Sequence, residues 1–402
     1  MISTKTDSEL GPELMTLRGM QWIYGIKGDP YALLLRAESD DPHELGRRAR
    51  DHGALMWSTA ESWVTARYST AAAILNDPRF GVRYPKLANG ADEANPWQVP
   101  AMHDILPLDD VYLAMDREVY RRLREVTVAA VGTDFAARTA EQRETELERL
   151  GTAFDLMTDF AHPLAAGALA GVLGMADASR LAALCAATAP VLDTTVCPPR
   201  MATVRELITA ARELRGLLAG PAPEDVTADR FAARMLLAVA GVHLAANLTT
   251  RTVSALLDRP DVWTAVREDP ELSAAAVRET VRHTPPVRLQ KLFAYEDVEL
   301  AGTLVPAGAE VTVLVEAAQR DPDAFTNPDR FELSRTDALE SLVFTDDLYT
   351  GVLEPFAVPV ATAAVTAVAT RCPALRRAEP ELRRLRAPVT GGVLFFPVTT
   401  VG

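Results

Sequence analysis

AAAVRETVRHTPPV, residues 274–287, places Glu279 and Arg282 one turn apart on a helical face. Downstream, DVELAGTLVPAGAEVTVLV (residues 297–315) reads as strands joined by a turn at Pro306-Ala307-Gly308, and NPDRF (residues 327–331) brings in Arg330. A short acid–arginine motif is a weak signal by itself. Its weight comes from the order in which the rest of the chain is arranged around it.

The chain has 402 residues, of which 48% are apolar and 24% charged, so it is globular and can bury a large core. No Pro/Gly/Ser-rich linker, repeat or low-complexity block divides it. A net charge of −14 excludes a nucleic-acid surface, which needs a basic patch. The three cysteines (Cys185, Cys197, Cys372) lack C-x-x-C spacing, so neither a disulfide framework nor a zinc site is indicated. The histidines at 43, 52, 103, 162, 243 and 283 show no metal-ligand pairing. The polar N-terminus is no signal peptide, and the longest uncharged run, 355–370, falls short of the roughly 20 residues a membrane span needs. The chain is expected to be soluble, cytoplasmic and free of membrane contact.

In order, residues 13–36 (ELMTLRGMQWIYGIKGDPYALLLR) concentrate Met15, Leu17, Met20, Trp22, Ile23, Tyr24 and Tyr31 in a span broken at Gly25 and Gly28, with Asp29-Pro30 as a helix start. This reads either as a terminal helix docked on its own core or as a partner-binding surface, since interfaces concentrate Met, Trp and Tyr. A hairpin is expected over 57–67, a short helix over 70–80 and irregular chain over 89–113. A basic amphipathic helix should follow over 115–131 and another helix over 154–175. Residues 176–231 read as helices interrupted at Cys197-Pro198-Pro199 and Gly220-Pro221, and 233–260 as a long central helix. No G-x-S-x-G, H-E-x-x-H, phosphate loop or G-x-G-x-x-G is present.

Taken together, the E-x-x-R helix, NPDRF, the Ala240-Gly241 helix and FDLMTDFAHPL (residues 154–164) resemble the cytochrome P450 superfamily over some 350 residues. The resemblance implies a mainly α fold with small β-sheets in a single large domain over residues 37–402, with 1–36 added in front. It also implies a buried Glu279–Arg282–Arg330 network, which is tolerable only when complete, because removing one partner strands a buried charge.

Against that frame SLVFTDDLYTGVLEPFA (residues 341–357) departs at each position where the haem enzymes hold their cofactor. Gly351 stands where the cysteine ligand belongs and cannot coordinate a metal. Tyr349 and Tyr120 replace histidines, and Leu292 replaces an arginine beside Lys291. His243 and Leu244 stand where an acid and an alcohol relay protons. His243 reads as a hydrogen-bonded core residue, with a general base as the alternative. Arg124 matches a propionate-binding arginine but reads by itself as solvated.

Nearly the whole chain is similar to haem-free members of the superfamily that serve deoxysugar glycosyltransferases in bacterial macrolide and anthracycline biosynthesis. The shared pattern L-R-G-x-x-W-x-Y-G…G-D-P-Y is present here as Leu17, Arg18, Gly19, Trp22, Tyr24, Gly25 and residues 28–31. The resemblance implies a non-catalytic partner, without cofactor or metal, that binds and activates a glycosyltransferase in a hetero-oligomer, a heterotetramer by that likeness. The alternatives are an oxidoreductase with an atypical site, or a small-molecule binding protein using the vacated pocket.

Overall fold

The fold is that of a computed structural model, which describes residues 5–38, 40–85, 102–106, 108–133, 135, 139–219, 227–336 and 339–401. Most of the irregular stretch expected over 89–113 and the break at Gly220-Pro221 lie outside the described residues. Eight helices position the site: α1 (Asp7–Tyr24), α2 (Pro30–Arg36), α3 (Arg117–Val131), α4 (Leu156–Leu173), α5 (Met201–Ala219), α6 (Ala228–Leu257), α7 (Leu272–His283) and α8 (Tyr349–Arg371).

The centre is α6. Thr227 caps it by accepting from the Arg230 amide, and every residue from Val242 to Val253 is buried. Its polar residues are satisfied locally: the hydroxyls of Thr249, Thr250 and Thr252 donate to the carbonyls of Ala245, Ala246 and Leu248 at 2.8–3.1 Å. One wide π turn, Leu237–Gly241, interrupts the helix. Its neighbours are α4, α7 and α8.

Small sheets flank this bundle. Strands β1 (Met56–Trp57) and β2 (Ser62–Thr65) form the expected hairpin, and β2 runs parallel to β8 (Glu310–Val313) in a sheet ordered β1-β2-β8-β5-β3, with β3 at Phe80–Gly81 and β5 at Gln290–Ala294. The turn at 306–308 joins β7 (Thr303–Val305) to β8, with Gly308 at φ +85°. Near the C-terminus β10 (Leu382–Arg383) pairs with β11 (Val393–Phe395), while β12 (Pro397–Thr399) leaves that hairpin to pair with β4 (Ala153–Asp155) and β9 (Arg376–Arg377).

By length and composition Leu156–Leu173, Ala228–Leu257 and Tyr349–Arg371 are each apolar enough to cross a membrane, more than the single run counted from sequence. In the fold they pack on one another, and 89% of the apolar window in Ala228–Leu257 is buried.

The inner face of α1 joins the same hydrophobic core as the rest of the chain. Leu10 and Leu14 are buried, and Gln21 donates to the Val196 carbonyl at 2.7 Å. As read from Asp29-Pro30, the Asp29 carboxylate caps α2 by accepting from the Ala32 amide. Tyr31 corrects the sequence reading. It is 1% exposed, and its hydroxyl accepts from Thr312 Oγ1 at 3.0 Å, so it is a core residue and offers nothing to a partner.

The buried ionic network also needs one correction. Arg282 grips Glu279 in a two-pronged pair (2.8 and 3.0 Å), but the second guanidinium on that carboxylate is Arg335, at 3.2 Å, and the Glu332 amide completes it at 3.0 Å. The Arg330 side chain is 74% exposed and pairs with Glu332; only its carbonyl serves the network, accepting from Arg282 and Arg335. NPDRF sets the loop that carries the acceptor, and the second cation arrives five residues later.

Candidate functional site

Residues 341–348 form turns, and α8 begins at Tyr349. Gly351 lies in its first turn with its Cα pressed against the preceding loop. A Cβ there would overlap the Thr345 carbonyl oxygen and stand 2.6 Å from the Asp346 Cα. Both are backbone atoms, which cannot swing aside. Position 351 therefore lacks a side chain and also lacks room for one. Cys372 caps the far end of α8, Cys185 lies on the helix Ser179–Thr188, and Cys197 lies in the turn before α5. Burial raises all three thiols, Cys185 to about 12, which disfavours thiolate.

Two adjacent acids, Asp346 and Asp347, follow Thr345 in the loop before α8. Arg117, which is 7% exposed, pairs with Asp347 and also donates to the carbonyls of Phe80 (2.6 Å) and Leu75 (2.9 Å). Arg121 lies 3.7 Å from Asp347. Arg124 is not a solvated surface arginine: it hydrogen-bonds Glu354 at 3.0 Å and makes an ion contact with Asp346 at 3.0 Å, though its Nε–H is not aimed at that oxygen. The basic face of α3 is thus neutralised by Asp346, Asp347 and Glu354. The adjacent acids after Phe344 were the visible signal, but only the fold shows which arginines they meet.

Other cofactor positions are occupied by packing. Tyr120 is fully buried; its hydroxyl accepts from the Met115 amide (3.0 Å) and donates to the Tyr112 carbonyl (3.1 Å). Tyr349 meets it edge-on, with centroids 6.5 Å apart, and burial raises its phenol pKa. Leu292 is fully buried within β5, and the neighbouring Lys291 pairs with Glu310 at 3.2 Å. Gly241, in the wide turn of α6, sits directly against Leu353 of α8, whose Cδ2 would be 3.5 Å from an added Cβ. Leu244 is core.

His243 is 5% exposed, but its Nε2 has no hydrogen-bond partner, unlike the bonded core histidine read from sequence. Burial first, and then Arg384, His162 and Arg251, hold its pKa down to about 3. With no carboxylate to orient it, such an imidazole is a poor base at neutral pH.

A haem does not fit these residues. Position 351 is closed by backbone, Arg124 is taken by the chain's own Glu354 and Asp346, and α6 touches α8 through Gly241 and Leu353. No step through a haem follows from this arrangement.

The chain was compared with known proteins at three levels. The Cytochrome P450 family model matches residues 259–338, the region of the E-x-x-R helix and NPDRF. Protein AknT of Streptomyces galilaeus is 39% identical, with 98% of this chain and 97% of AknT covered. Cytochrome P450 family protein EryCII of Saccharopolyspora erythraea is 32% identical, with 98% of this chain and 99% of EryCII covered. Among solved structures, ligand-free Mycobacterium smegmatis CYP164A2 superposes with a TM-score of 0.75 over 92% of this chain and 99% of that one, at 24% identity, which establishes the fold. On fold, on full-length relatives and on the ionic network around Glu279, the chain belongs to the cytochrome P450 family.

Proposed function

We infer that this P450-family chain is a non-catalytic, cytoplasmic partner of an antibiotic glycosyltransferase. It binds, stabilises and activates a transferase that attaches a nucleotide-activated deoxysugar to a polyketide aglycone of the macrolide or anthracycline class. The carrying observation is the closed position at Gly351 within an otherwise intact P450 frame, in a chain related along its whole length to AknT and EryCII. Activation follows from linkage: a partner that binds only the competent state of the transferase raises its population and suppresses its unfolding.

The contact surface in this reading is the outer face of α1. Met15, Trp22 and Ile23 are 76%, 56% and 56% exposed at helical spacing, and Ile26 continues the face at 62%. Leu17, Met20 and Tyr24 are half-buried along its edge. The Trp22 ring is held by the Arg36 guanidinium, 4.7 Å from its centroid, so the anchor is ordered before it meets a partner.

The test is co-expression with the transferase encoded beside this chain, then size exclusion and a transfer assay. The complex should co-elute and transfer sugar, whereas the double variant Trp22→Glu/Ile23→Glu should elute alone with an unchanged melting temperature. Co-elution of that variant would exclude α1 as the contact. A purified chain with a Soret band and oxidase activity of its own would end the non-catalytic reading.

A further inference from the structure

The tip of the C-terminal hairpin, residues 384–392, folds onto α6 and onto the turn at 193–197. Its backbone is fixed there. Asn247 Nδ2 donates to the Thr390 carbonyl at 3.2 Å, as does Arg251 Nη2. Buried Asp193 accepts from the amides of Val389 and Thr390 at 2.9 Å and from Thr390 Oγ1 at 2.6 Å, which occupies its oxygens. Gly391 and Gly392 have φ of +63° and +46°. A Cβ on the first would overlap Arg251 Nη2, and one on the second would stand 2.8 Å from the Arg384 Cβ. Two left-handed glycines thus make room for two arginines.

Neither arginine is held in an ion pair among the described residues. Arg384 Nη1, Arg386 Nε, Arg251 Nε and His243 Nε2 are all buried without a hydrogen-bond acceptor. Among the described residues no carboxylate forms an ion pair with Arg18, Arg251, Arg384 or Arg386; Asp193 faces Arg384 but is committed to the hairpin, and Glu316 and Glu381 act on Arg251 only from beyond ion-pair distance. Arg386 reaches the Cys197 thiol, and Arg18 lies close to Arg386 while donating to the Pro198 carbonyl at 3.4 Å. A buried donor left without an acceptor is destabilising, and more so when it is charged. Guanidiniums that are not tied up in ion pairs match the geometry and charge of a phosphate.

We propose that this corner binds a small phosphate-bearing molecule, held by Arg384 and Arg386, with Arg251 beneath and Arg18 at the outer edge. A docked protein surface is the poorer fit, because Arg251 is only 6% exposed and out of a partner's reach. A dianion also answers several guanidiniums better than a single carboxylate does. The site is separate from α1's outer face and stands whether or not the chain serves a transferase.

Calorimetric titration of the full chain with inorganic pyrophosphate, at ionic strength matched with sodium chloride, tests it. Saturable one-to-one binding is expected, and sodium acetate at equal concentration should give no saturation. Arg384→Gln/Arg386→Gln should weaken pyrophosphate binding by about tenfold or more. Arg376→Gln, on the exposed strand β9, should leave it unchanged. Hydrogen exchange on the unmodified chain gives a second readout, with pyrophosphate slowing exchange at 193–197 and 384–392. Absence of saturation, equal affinity for acetate, unchanged binding by the double variant, or no protection of those two segments would each overturn the proposal.

Discussion

The arginines of α3 and those of the hairpin tip are held in opposite ways. Arg117, Arg121 and Arg124 meet Asp346, Asp347 and Glu354, all contributed by the loop before α8 and its first turns. Arg251 meets the carbonyls of Thr284 and Thr390 and Arg386 meets the Cys197 thiol, while Asp193, which faces Arg384, is already bonded to the hairpin. The whole chain carries a net charge of −14, so the shortage of acid at the hairpin is local. Where the chain's own carboxylates meet its arginines, the cluster is structural. Where they do not, the buried donors remain open to a ligand.

If the first region is structural, its acids are indispensable. Asp347→Ala should cost about 3 kcal/mol or more in urea unfolding, because it strands the 7%-exposed Arg117. A loss near zero would show the pair to be ornamental. Gly351→Cys is the next strongest challenge. Overlap of the new Cβ with the backbone of Thr345 and Asp346 should cost about 1–3 kcal/mol, and haem reconstitution should give no Soret band. A stable variant that turns red would break the reading of a closed site.

Acid should act through the region left open. Burial lowers His243 to about 3 and His162 to about 4 in the folded chain, against an ordinary value near 6.5. Between those values the unfolded chain binds more protons, so the stability these groups contribute is complete above pH 6.5 and falls as pH drops toward 4. Replacing His243 with Gln should flatten the unfolding free energy by about 1.4 kcal/mol per pH unit between pH 6 and 4. An unchanged slope would show that His243 charges freely in the native state. The smallest effect is expected at Arg384. Arg384→Gln should leave the ligand-free chain equally stable or raise it by about 1 kcal/mol, since a half-buried guanidinium without an ion pair, its Nη1 lacking an acceptor, is removed. A clear loss in thermal melting would mean that Arg384 is a strut, like Arg117.

Much of this was legible in one dimension. The hairpin over 57–67, the Asp29-Pro30 helix start, the long helix carrying Ala240-Gly241 and the Glu279–Arg282 pair all follow from spacing and capping, which are local. The errors share a cause. Tyr31 was grouped with Trp22 and Ile23 because composition does not say which side of a chain faces the core. Arg330 was placed on Glu279 because a motif fixes a loop, and a one-turn shift in that loop decides whether a side chain or a carbonyl points inward. Arg384 and Arg386 carried no signal, since an arginine without an acid nearby in sequence looks like any solvated one.

By itself the sequence determined that the frame of a P450-family protein is present and that Gly351 offers no ligand, because a side chain's absence needs no coordinates. Only the tertiary structure decided that the ligand position is closed by the Thr345 and Asp346 backbone, that Arg335 completes the network, and which buried guanidiniums found carboxylates. The last two depend on pairs 56 to 230 residues apart, such as Glu279 with Arg335 and Arg117 with Asp347, and their meeting is set by the packing of α3, α6, α7 and α8 rather than by any local rule.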